Sequence, residues 1–407
     1  MKNKKILIVS HQFLPYVSPR TTRWKYLIDE LIARGNEVTI LTGTNPNDLV
    51  NNYDVLYFGN KNMSSAIDSL RKDSTKVENS LIKKNFYSLL KKIYRFIFKS
   101  LAWPDYAMFW IFTIIKNKSK IPKNFDIIIS VSLPFTSHVC GSILHKSMSS
   151  KWFMDIGDPF SLKEHSFENN RFLYSFINFY FEKKYYQMAD KIIFTHTEAS
   201  ELHMEKFQID SSKLVIGHPV SFIDENLIEA SNKYRYIDLP IKIGYFGIFT
   251  DGVRDPYNYL NTVASSFKEE IHHYWFTNDE SIKYFSSLMN SSNHNFRTMI
   301  PRKDALNQMI NNFHILLSIG NKNNYQLPSK VIEYISLGKP VLHYAEISSD
   351  PMYRFESLFK NFKIIDKNTR ENDVIEFLKS FQINKIEFNY KEFSKHFSPK
   401  KIIDNLN

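Results

Sequence analysis

The chain has 407 residues, of which 43% are hydrophobic and 23% are charged, so it is long and apolar enough for two domains with separate cores and is not a disordered chain. The 53 Lys and Arg residues exceed the 42 Asp and Glu residues and give a net charge of +11, which favours anionic partners such as phosphorylated small molecules, anionic lipid or nucleic acid. The single cysteine, Cys140, excludes an intrachain disulfide and indicates a reducing, cytoplasmic setting.

The beginning of the chain shows no secretory signal, because Met1 to Lys5 lead directly into the short apolar run ILIVS, which is typical of a buried parallel strand. The run from Ile127 to His145 has few charges, but Pro134 and its many Ser and Thr residues argue against a membrane span. We therefore expect a chain without a transmembrane helix.

The first 42 residues predict a strand at Lys5–Ser10, a helix at Thr21–Arg34 and a strand at Glu37–Thr42, and this order implies a parallel sheet with a right-handed crossover. The loop after the first strand, HQFLPYVSPR, lacks the glycine-rich dinucleotide fingerprint and disfavours a nicotinamide enzyme. Ligands bind at the carboxyl ends of such strands. The candidate contacts here, each with a structural role as the alternative, are His11, Arg20 and Arg23.

A basic and aromatic segment interrupts this alternation at residues 83–115. Lys83 to Lys99 contain six cations and no carboxylate, with apolar side chains at helical spacing, and the aromatic run LAWPDYAMFWIF follows. This pattern is typical of a helix that lies on anionic lipid, although a surface helix that covers the domain core has the same spacing. The sequence therefore predicts a membrane-facing segment.

Two further strands, predicted at Asp126–Ser132 and Trp152–Ile156, are followed by polar residues in SLPFTSH and DIGDPF. His138, Asp155 and Asp158 are therefore candidates for catalysis in a cleft at the strand ends, and helix caps or hydrogen-bonded supports are the alternative.

The strand and helix alternation fades in a polar stretch from Ser221 to Leu239 and restarts with a strand predicted at Ile241–Phe246. We expect two doubly wound α/β domains joined by this linker. The predicted ranges are an N-terminal domain at 1–225, a C-terminal domain at 240–380 and a helical tail at 381–407.

The stretch QLPSKVIEYISLGKPVLHY predicts a helix from Pro328 to Leu337, which Gly338 ends. Lys330 and Glu333 lie three residues apart near its N-terminus. The free backbone N–H groups, the helix dipole and the Lys330 ammonium together suit a diphosphate, and Glu333 suits sugar hydroxyls. A capped surface helix with a chance Lys and Glu is the alternative.

QLPSKVIEYISLGKPVL and the first 42 residues together resemble the retaining glycosyltransferases of family four. WPDYAMFW, SLPFTSH, DIGDPFS, ADKIIFTHTEASEL and GYFGIFTDGVRDP resemble blocks of a bacterial branch that builds capsule, lipopolysaccharide or other surface polysaccharide. The resemblance implies the GT-B fold, with two Rossmann-like domains facing each other across a cleft. It also implies a nucleotide-sugar donor on the C-terminal domain and a lipid-linked or polysaccharide acceptor on the N-terminal side, where His11, Arg20 and Arg23 lie.

In this resemblance Glu333 matches the second signature glutamate of the family, which is expected to bind the ribose. The first falls at Tyr325, so Gln326 or its backbone would replace the contact to the donor sugar. Ile248 stands where the family has an arginine for the diphosphate. The donor-binding residues implied are thus Gly247, Arg254, Gln326, Lys330 and Glu333, and the catalytic ones Asp155, Asp158 and His138.

The sequence contains no Asp-x-Asp motif, so we expect a transfer without metal or cofactor, in which Arg254, Lys330 and the helix start stabilise the leaving diphosphate. The alternatives are a sugar-nucleotide epimerase or hydrolase on the same fold, or a non-catalytic nucleotide-sugar-binding subunit. No nucleic-acid-binding motif is present. The expected location is the cytoplasm, peripheral at the inner face of the cell membrane.

Overall fold

The structure is a computed structural model that describes residues 1–16, 18–45, 52–59, 99–221, 240–250, 252–266, 271–288, 293–383 and 388–406. It divides into two compact units. The first is Met1–Gly217 with Ile402–Asn407, and the second is His218–Lys401. Residues 83–98 of the membrane-facing segment predicted at 83–115, and residues 222–239 of the linker predicted at Ser221 to Leu239, lie outside the described residues.

The first unit contains a parallel sheet with the strand order β3-β2-β1-β4-β5-β6-β7. Its strands are β1 Lys5–Val9, β2 Glu37–Thr42, β3 Asp54–Tyr57, β4 Ile127–Val131, β5 Lys151–Ile156, β6 Lys191–Phe194 and β7 Leu214–Ile216. Its helices are α1 Pro19–Ala33, α2 Phe109–Asn117, α3 Thr136–His145, α4 Arg171–Met188 and α5 Thr197–Phe207.

The second unit contains a parallel sheet with the strand order β10-β9-β8-β11-β12-β13. Its strands are β8 Ile241–Phe246, β9 Ile271–Thr277, β10 His294–Thr298, β11 Ile315–Ile319, β12 Val341–Tyr344 and β13 Phe362–Ile365. Its helices are α6 Tyr257–Thr262, α7 Asp279–Leu288, α8 Arg302–Asn311, α9 Ser329–Ser336, α10 Tyr353–Glu356, α11 Glu371–Ile383 and α12 Tyr390–Phe397. A last helix, α13 Pro399–Asn405, leads back into the first unit.

The central strands are buried along their whole length and mostly apolar, because both faces of each parallel sheet are covered. All five residues of β4 and of β11 are buried. The parallel register, in which Ile6 lies opposite both Val38 and Ile127, brings the carboxyl ends of neighbouring strands to the same edge of the sheet. No helix in the described part of the chain is both long and apolar enough to span a bilayer.

Buried polar side chains fix the ends of several helices. Ser18 caps α1, which begins at Pro19 rather than at the predicted Thr21, because the Ser18 hydroxyl accepts from the Thr21 N–H at 3.1 Å. Asp105 is fully buried and accepts from the backbone N–H and the hydroxyl of Thr136, at 2.9 and 2.7 Å, where α3 begins. Burial raises the pKa of Asp105 to about 6.

A buried lysine closes the end of α8. The Lys339 ammonium donates to the carbonyl oxygens of Ile310 at 2.6 Å and of Phe313, which lie where the helix ends and its last carbonyl groups have no intrahelical partner. Burial lowers the pKa of Lys339 to about 8.

A buried ion pair connects α1 to the carboxyl end of β5. Nη1 of Arg23 lies 2.7 Å from both carboxylate oxygens of Asp155, and Nε1 of Trp24 donates to Asp155 at 2.8 Å. Nη2 of Arg23 donates to the carbonyl oxygen of Gly217 at 2.8 Å, just beyond β7. Because both charged groups are buried, each depends on the other for its compensation.

We expect Asp155→Ala to lower the free energy of unfolding of the first unit by about 3–5 kcal/mol, because it leaves the Arg23 guanidinium buried and uncompensated. Urea unfolding followed by tryptophan fluorescence measures this, since four of the five tryptophans lie in the first unit. Glu37→Ala, which breaks the exposed Lys5–Glu37 pair, is the matched control and should cost less than about 1 kcal/mol. Equal effects of the two substitutions would contradict the structural role of the pair.

Candidate active site

In the first unit, Arg20 lies near the start of α1 and contacts the loops that follow β4 and β5. Its Nη2 lies 3.1 Å from Oδ2 of Asp158 and its Nη1 donates to the carbonyl oxygen of Leu133 at 2.9 Å. A Cβ at Gly157 would lie 2.8 Å from Nη2 of Arg20, so only glycine lets the guanidinium lie against this backbone. Arg20 and Asp158 are both partly exposed, and the structure therefore brings two predicted site residues together at the strand ends.

His11 follows β1 at the same edge of the sheet. Its ring packs edge-on against Tyr106 and Trp110, with centroid distances of 5.8 and 5.2 Å. Its Nδ1 is buried and has no hydrogen-bond partner among the described residues. Burial lowers the pKa of His11 to about 4, so the ring is neutral near pH 7 and its charge is not available to bind an anion.

His138 lies deeper, on α3, and is fully buried. Its Nδ1 lies 2.7 Å from the Ser130 hydroxyl, which also accepts from Nε1 of Trp152 at 2.9 Å. Burial, assisted by the charge of Arg20, lowers the pKa of His138 to about 3. The geometry favours a supporting role in the core for His138 over the catalytic role that the sequence predicts.

Arg23 and Asp155 were both predicted to meet substrate, but they form the buried ion pair described above. Asp155 has no exposed surface, and its two oxygens are taken by Arg23 and Trp24. The geometry therefore favours a structural role for both. Of the two aspartates that the sequence could not separate, only Asp158 has a side chain that solvent reaches.

In the second unit, two loops at the carboxyl ends of β8 and β11 are joined through Asn321. Its Oδ1 accepts from Nε and Nη2 of Arg254, at 2.9 and 2.8 Å, and its Nδ2 donates to the carbonyl oxygen of Gln326 at 2.6 Å. The N–H of Lys322 also donates to the carbonyl oxygen of Val253 at 2.7 Å. Asn321 thus joins two predicted donor-binding elements, the Arg254 loop and Gln326. Gln326 lies three residues before α9 begins.

Gly247 begins the Arg254 loop, where its N–H donates to the carbonyl oxygen of Phe276 at 3.0 Å. A Cβ at this position would lie 2.8 Å from the buried hydroxyl oxygen of Tyr245, so the backbone passes the aromatic core at a distance that excludes larger residues. Ile248 is half-exposed and carries no charge toward the loop.

The first turns of α9 carry Lys330 and Glu333. The helix begins at Ser329 with Pro328 as its N-cap residue, which agrees with the predicted start within one residue. Its first backbone N–H groups have no partners within the helix. Gln326, which Asn321 binds, lies only two residues before the cap, so the loop that Asn321 organises leads directly into this helix start.

Lys330 is partly buried, and within the described ranges no hydrogen bond or ion pair joins its ammonium. Burial lowers its pKa; the charge of Glu333 opposes this, while Arg302 and Arg254 lower it further. Glu333 is itself engaged, since its Oε1 accepts from Nη2 of Arg302 at 2.8 Å. The charges that act on Lys330 are therefore two cations and one carboxylate, and this arrangement favours the binding of an anion.

Two residues of this site were missed in the sequence. Asn321 lies two residues after β11, so the strand-end criterion that singled out other candidates could have found it. Arg302 lies 31 residues before its partner Glu333, and no local pattern connects the two. Among the described residues, no group of three or more His, Cys, Asp or Glu side chains is placed to hold a metal ion.

The comparisons with known proteins agree in the fold. The chain is similar to Anabaena Alr3699/HepE, solved in complex with UDP, with a TM-score of 0.62 at 10% identity over 100% of this chain and 98% of that one. It is also similar to a glycosyltransferase from Rickettsia africae, with a TM-score of 0.58 at 14% identity over 100% and 97%. A third similar structure is the lipopolysaccharide outer core galactosyltransferase WaaB, with a TM-score of 0.55 at 12% identity over 99% of both chains.

No family model matches the sequence, and no curated protein matches it. The likeness to the solved structures nevertheless spans almost the whole of both chains in each comparison, and it includes both parallel sheets. The predicted fold class is confirmed: the chain has the GT-B fold of these glycosyltransferases.

Proposed function

We propose that this protein is a retaining glycosyltransferase that moves a sugar from a nucleotide-sugar donor to a lipid-linked or polysaccharide acceptor in the synthesis of a bacterial surface polysaccharide. The observation that carries the proposal is the cationic character of the start of α9, where Lys330 has no ion-pair partner among the described residues and the Asn321 amide holds Arg254 in the adjoining loop. The similar HepE structures contain UDP and UDP-glucose, which supports a nucleotide sugar as the anion.

In this proposal the diphosphate of the donor lies against Lys330, Arg254 and the first N–H groups of α9. Charge-assisted hydrogen bonds from such donors are roughly twice as strong as neutral ones, and an arginine adds a planar fork that suits phosphate oxygens. Glu333 accepts the ribose hydroxyls with the oxygen that Arg302 leaves free, and Gln326 contacts the sugar in place of the family's first glutamate.

The chemical step breaks the bond between the sugar and the phosphate and leaves negative charge on the departing diphosphate. Fixed cations already in place stabilise this charge without reorganisation, and we propose that they do so here without a metal ion. The acceptor hydroxyl attacks on the face of the sugar that the diphosphate leaves, and its proton passes to a phosphate oxygen. This path retains the configuration of the sugar and needs no covalent enzyme intermediate.

On the acceptor side, we propose that Arg20, His11 and Asp158 position the acceptor, with Asp158 the residue on which transfer depends. Asp158 combines a partly exposed carboxylate with a fixed orientation, because Arg20 binds it and is itself bound to the Leu133 carbonyl. A fixed carboxylate orients an acceptor hydroxyl at little entropic cost.

We further propose that the protein works in the cytoplasm at the inner face of the cell membrane, which residues 83–115 contact. The part of this segment within the described ranges supports the proposal, because it exposes apolar side chains. Phe112 is 64% and Leu101 is 70% exposed, and Phe109 and Ile115 lie on the same helix as Phe112 and are also exposed.

We expect Lys330→Ala to weaken donor binding by about 10- to 100-fold, because it removes a charge-assisted contact of roughly 1.5–3 kcal/mol. Isothermal titration with UDP-, GDP- and other nucleotide sugars measures this effect and identifies the base. Lys322→Ala is the matched control, since this lysine lies in the neighbouring loop but is paired with Asp255 at 2.6 Å. Equal donor affinity in wild type and Lys330→Ala would contradict the proposed donor site at Lys330.

Donor binding should also weaken at alkaline pH. Lys330 is charged only below its pKa, which burial has lowered, so donor affinity falls as pH rises through that value and earlier than an ordinary lysine would allow. Arginine stays charged throughout this range, so Lys330→Arg should retain its affinity between pH 8 and about 10. Comparing the two proteins with the same donor cancels the titration of the nucleotide base. Identical pH profiles would show that Lys330 does not carry the binding charge.

Asp158→Asn should bind donor normally and lose most of its transfer activity, by about 100-fold or more, because it keeps the shape of the side chain and removes its charge. Product analysis with a radiolabelled donor, with and without acceptor and with a chelator, provides the measurement. Released or epimerised sugar without acceptor would indicate a hydrolase or epimerase, and saturable donor binding without turnover would indicate a binding subunit.

A further inference from the structure

An apolar face of α4 is exposed to solvent in the first unit. Phe172 is 93% and Phe176 is 79% exposed, and half or more of Leu173 and Tyr180 and over a third of Ile177 are also exposed. At about 100° per residue these five side chains fall within one arc of about 140°, which makes a single stripe along two turns. We name it the α4 stripe.

Polar contacts on the opposite side hold α4 in this orientation. Asn178 is buried, accepts from Nε1 of Trp103 at 3.0 Å and exchanges two hydrogen bonds with Asn169 at 2.9 and 3.0 Å. Tyr174 donates to the carbonyl oxygen of Ser100 at 2.8 Å, and Asn170 caps the helix. Rolling the helix to bury the stripe would expose or break this network, so the exposure is built into the fold.

The charges around the stripe are positive. Arg171 lies at the start of α4, where its guanidinium stands 4.9 Å from the ring of Phe167, and Lys183 and Lys184 continue the arc of the stripe one turn beyond Tyr180. The only carboxylate of α4, Glu182, is fully buried and accepts from Ser161 and Tyr186. The outward face of α4 therefore offers aromatic and aliphatic groups flanked by cations and no exposed carboxylate.

We propose that the α4 stripe docks on an anionic lipid surface. Aromatic and aliphatic side chains enter the interface between head groups and acyl chains, while Arg and Lys side chains at the ends of the stripe reach the phosphates. A second copy of the chain fits less well, because antiparallel pairing of two such helices brings their terminal cations together. The chemistry of the stripe thus selects lipid phosphate over a like-charged protein.

Docking of α4 rests on the membrane contact of the proposed function and adds to it a helix outside residues 83–115, although docking itself requires neither donor nor transfer. Docking of the α4 stripe would also set the distance between the lipid surface and the predicted site at Asp158. The loop that carries Asp158 continues to Ser161, whose N–H donates to Glu182 of α4 at 2.9 Å. Docking of the stripe would therefore hold the strand-end loops of the first unit close to the lipid surface, where a lipid-linked acceptor lies.

The test is sedimentation of the full-length protein with vesicles of phosphatidylglycerol and phosphatidylethanolamine, and with vesicles of phosphatidylcholine alone. The double variant Phe172→Ser/Phe176→Ser should bind the anionic vesicles at least about tenfold more weakly than wild type, and Lys183→Gln/Lys184→Gln should weaken binding mainly at low salt. The matched control, Ile32→Ser/Met299→Ser, removes two apolar side chains that are exposed elsewhere and should bind like wild type.

Unchanged vesicle binding in Phe172→Ser/Phe176→Ser would overturn the proposal, and so would equal loss in the control variant. If wild type ignores anionic vesicles but forms a dimer in analytical ultracentrifugation that the double variant abolishes, the stripe serves a second copy and the proposal is also wrong. Circular dichroism melting confirms that each variant is folded. Donor titration of the same variant keeps this outcome separate from the glycosyltransferase proposal, because α4 carries none of the donor-binding residues.

Discussion

The candidate donor site depends on a lysine ammonium that the fold partly buries and leaves without a direct partner among the described residues. An ammonium taken out of water costs free energy, and the buried Lys339 offsets this cost by donating to two carbonyl oxygens. For Lys330 the charge of Glu333 offsets part of the cost, and Arg254 and Arg302 add to it. The Asn321 amide and the Glu333 carboxylate hold those two guanidinium groups in place nearby. Binding of an anion would offset this cost, so the occupied site would be more stable than the empty one.

In the first unit, by contrast, the cost of burying a charge is offset by a direct ion pair. Arg23 and Asp155 are both buried, but each is the other's counterion, and Trp24 and Gly217 supply further hydrogen bonds. Such a pair leaves little for a ligand to gain. Arg20 and Asp158, three residues away on each segment, form a partly exposed pair that solvent reaches. Burial and partner, rather than residue type, therefore distinguish the two pairs at the strand ends.

The sequence predicts strands and helices better than it predicts which charged residues are buried. Two strands, Glu37–Thr42 and Ile241–Phe246, match their predictions residue for residue, because apolar runs bounded by turn residues identify buried parallel strands. The helix predicted from Pro328 to Leu337 also agrees with α9 within one residue at each end. β13 at Phe362–Ile365 was not predicted, since FKII is short and carries a lysine. Asp155 and His138 could not be separated from Asp158, and Arg302 could not be paired with Glu333, because both distinctions need contacts between distant segments.

The sequence also does not predict which face of α4 is exposed. The aromatic run before Met188 predicts a helix, but an aromatic side chain at helical spacing is equally suited to the core or to a lipid surface. Period alone cannot decide which arc faces inward when both arcs contain aromatic residues. The decision comes from the polar members of the helix: Asn178 and Glu182 find buried partners on one side, and that side must then face the core. Phe172 and Phe176 are exposed as a consequence, so two buried polar residues determine where the apolar surface of the protein lies.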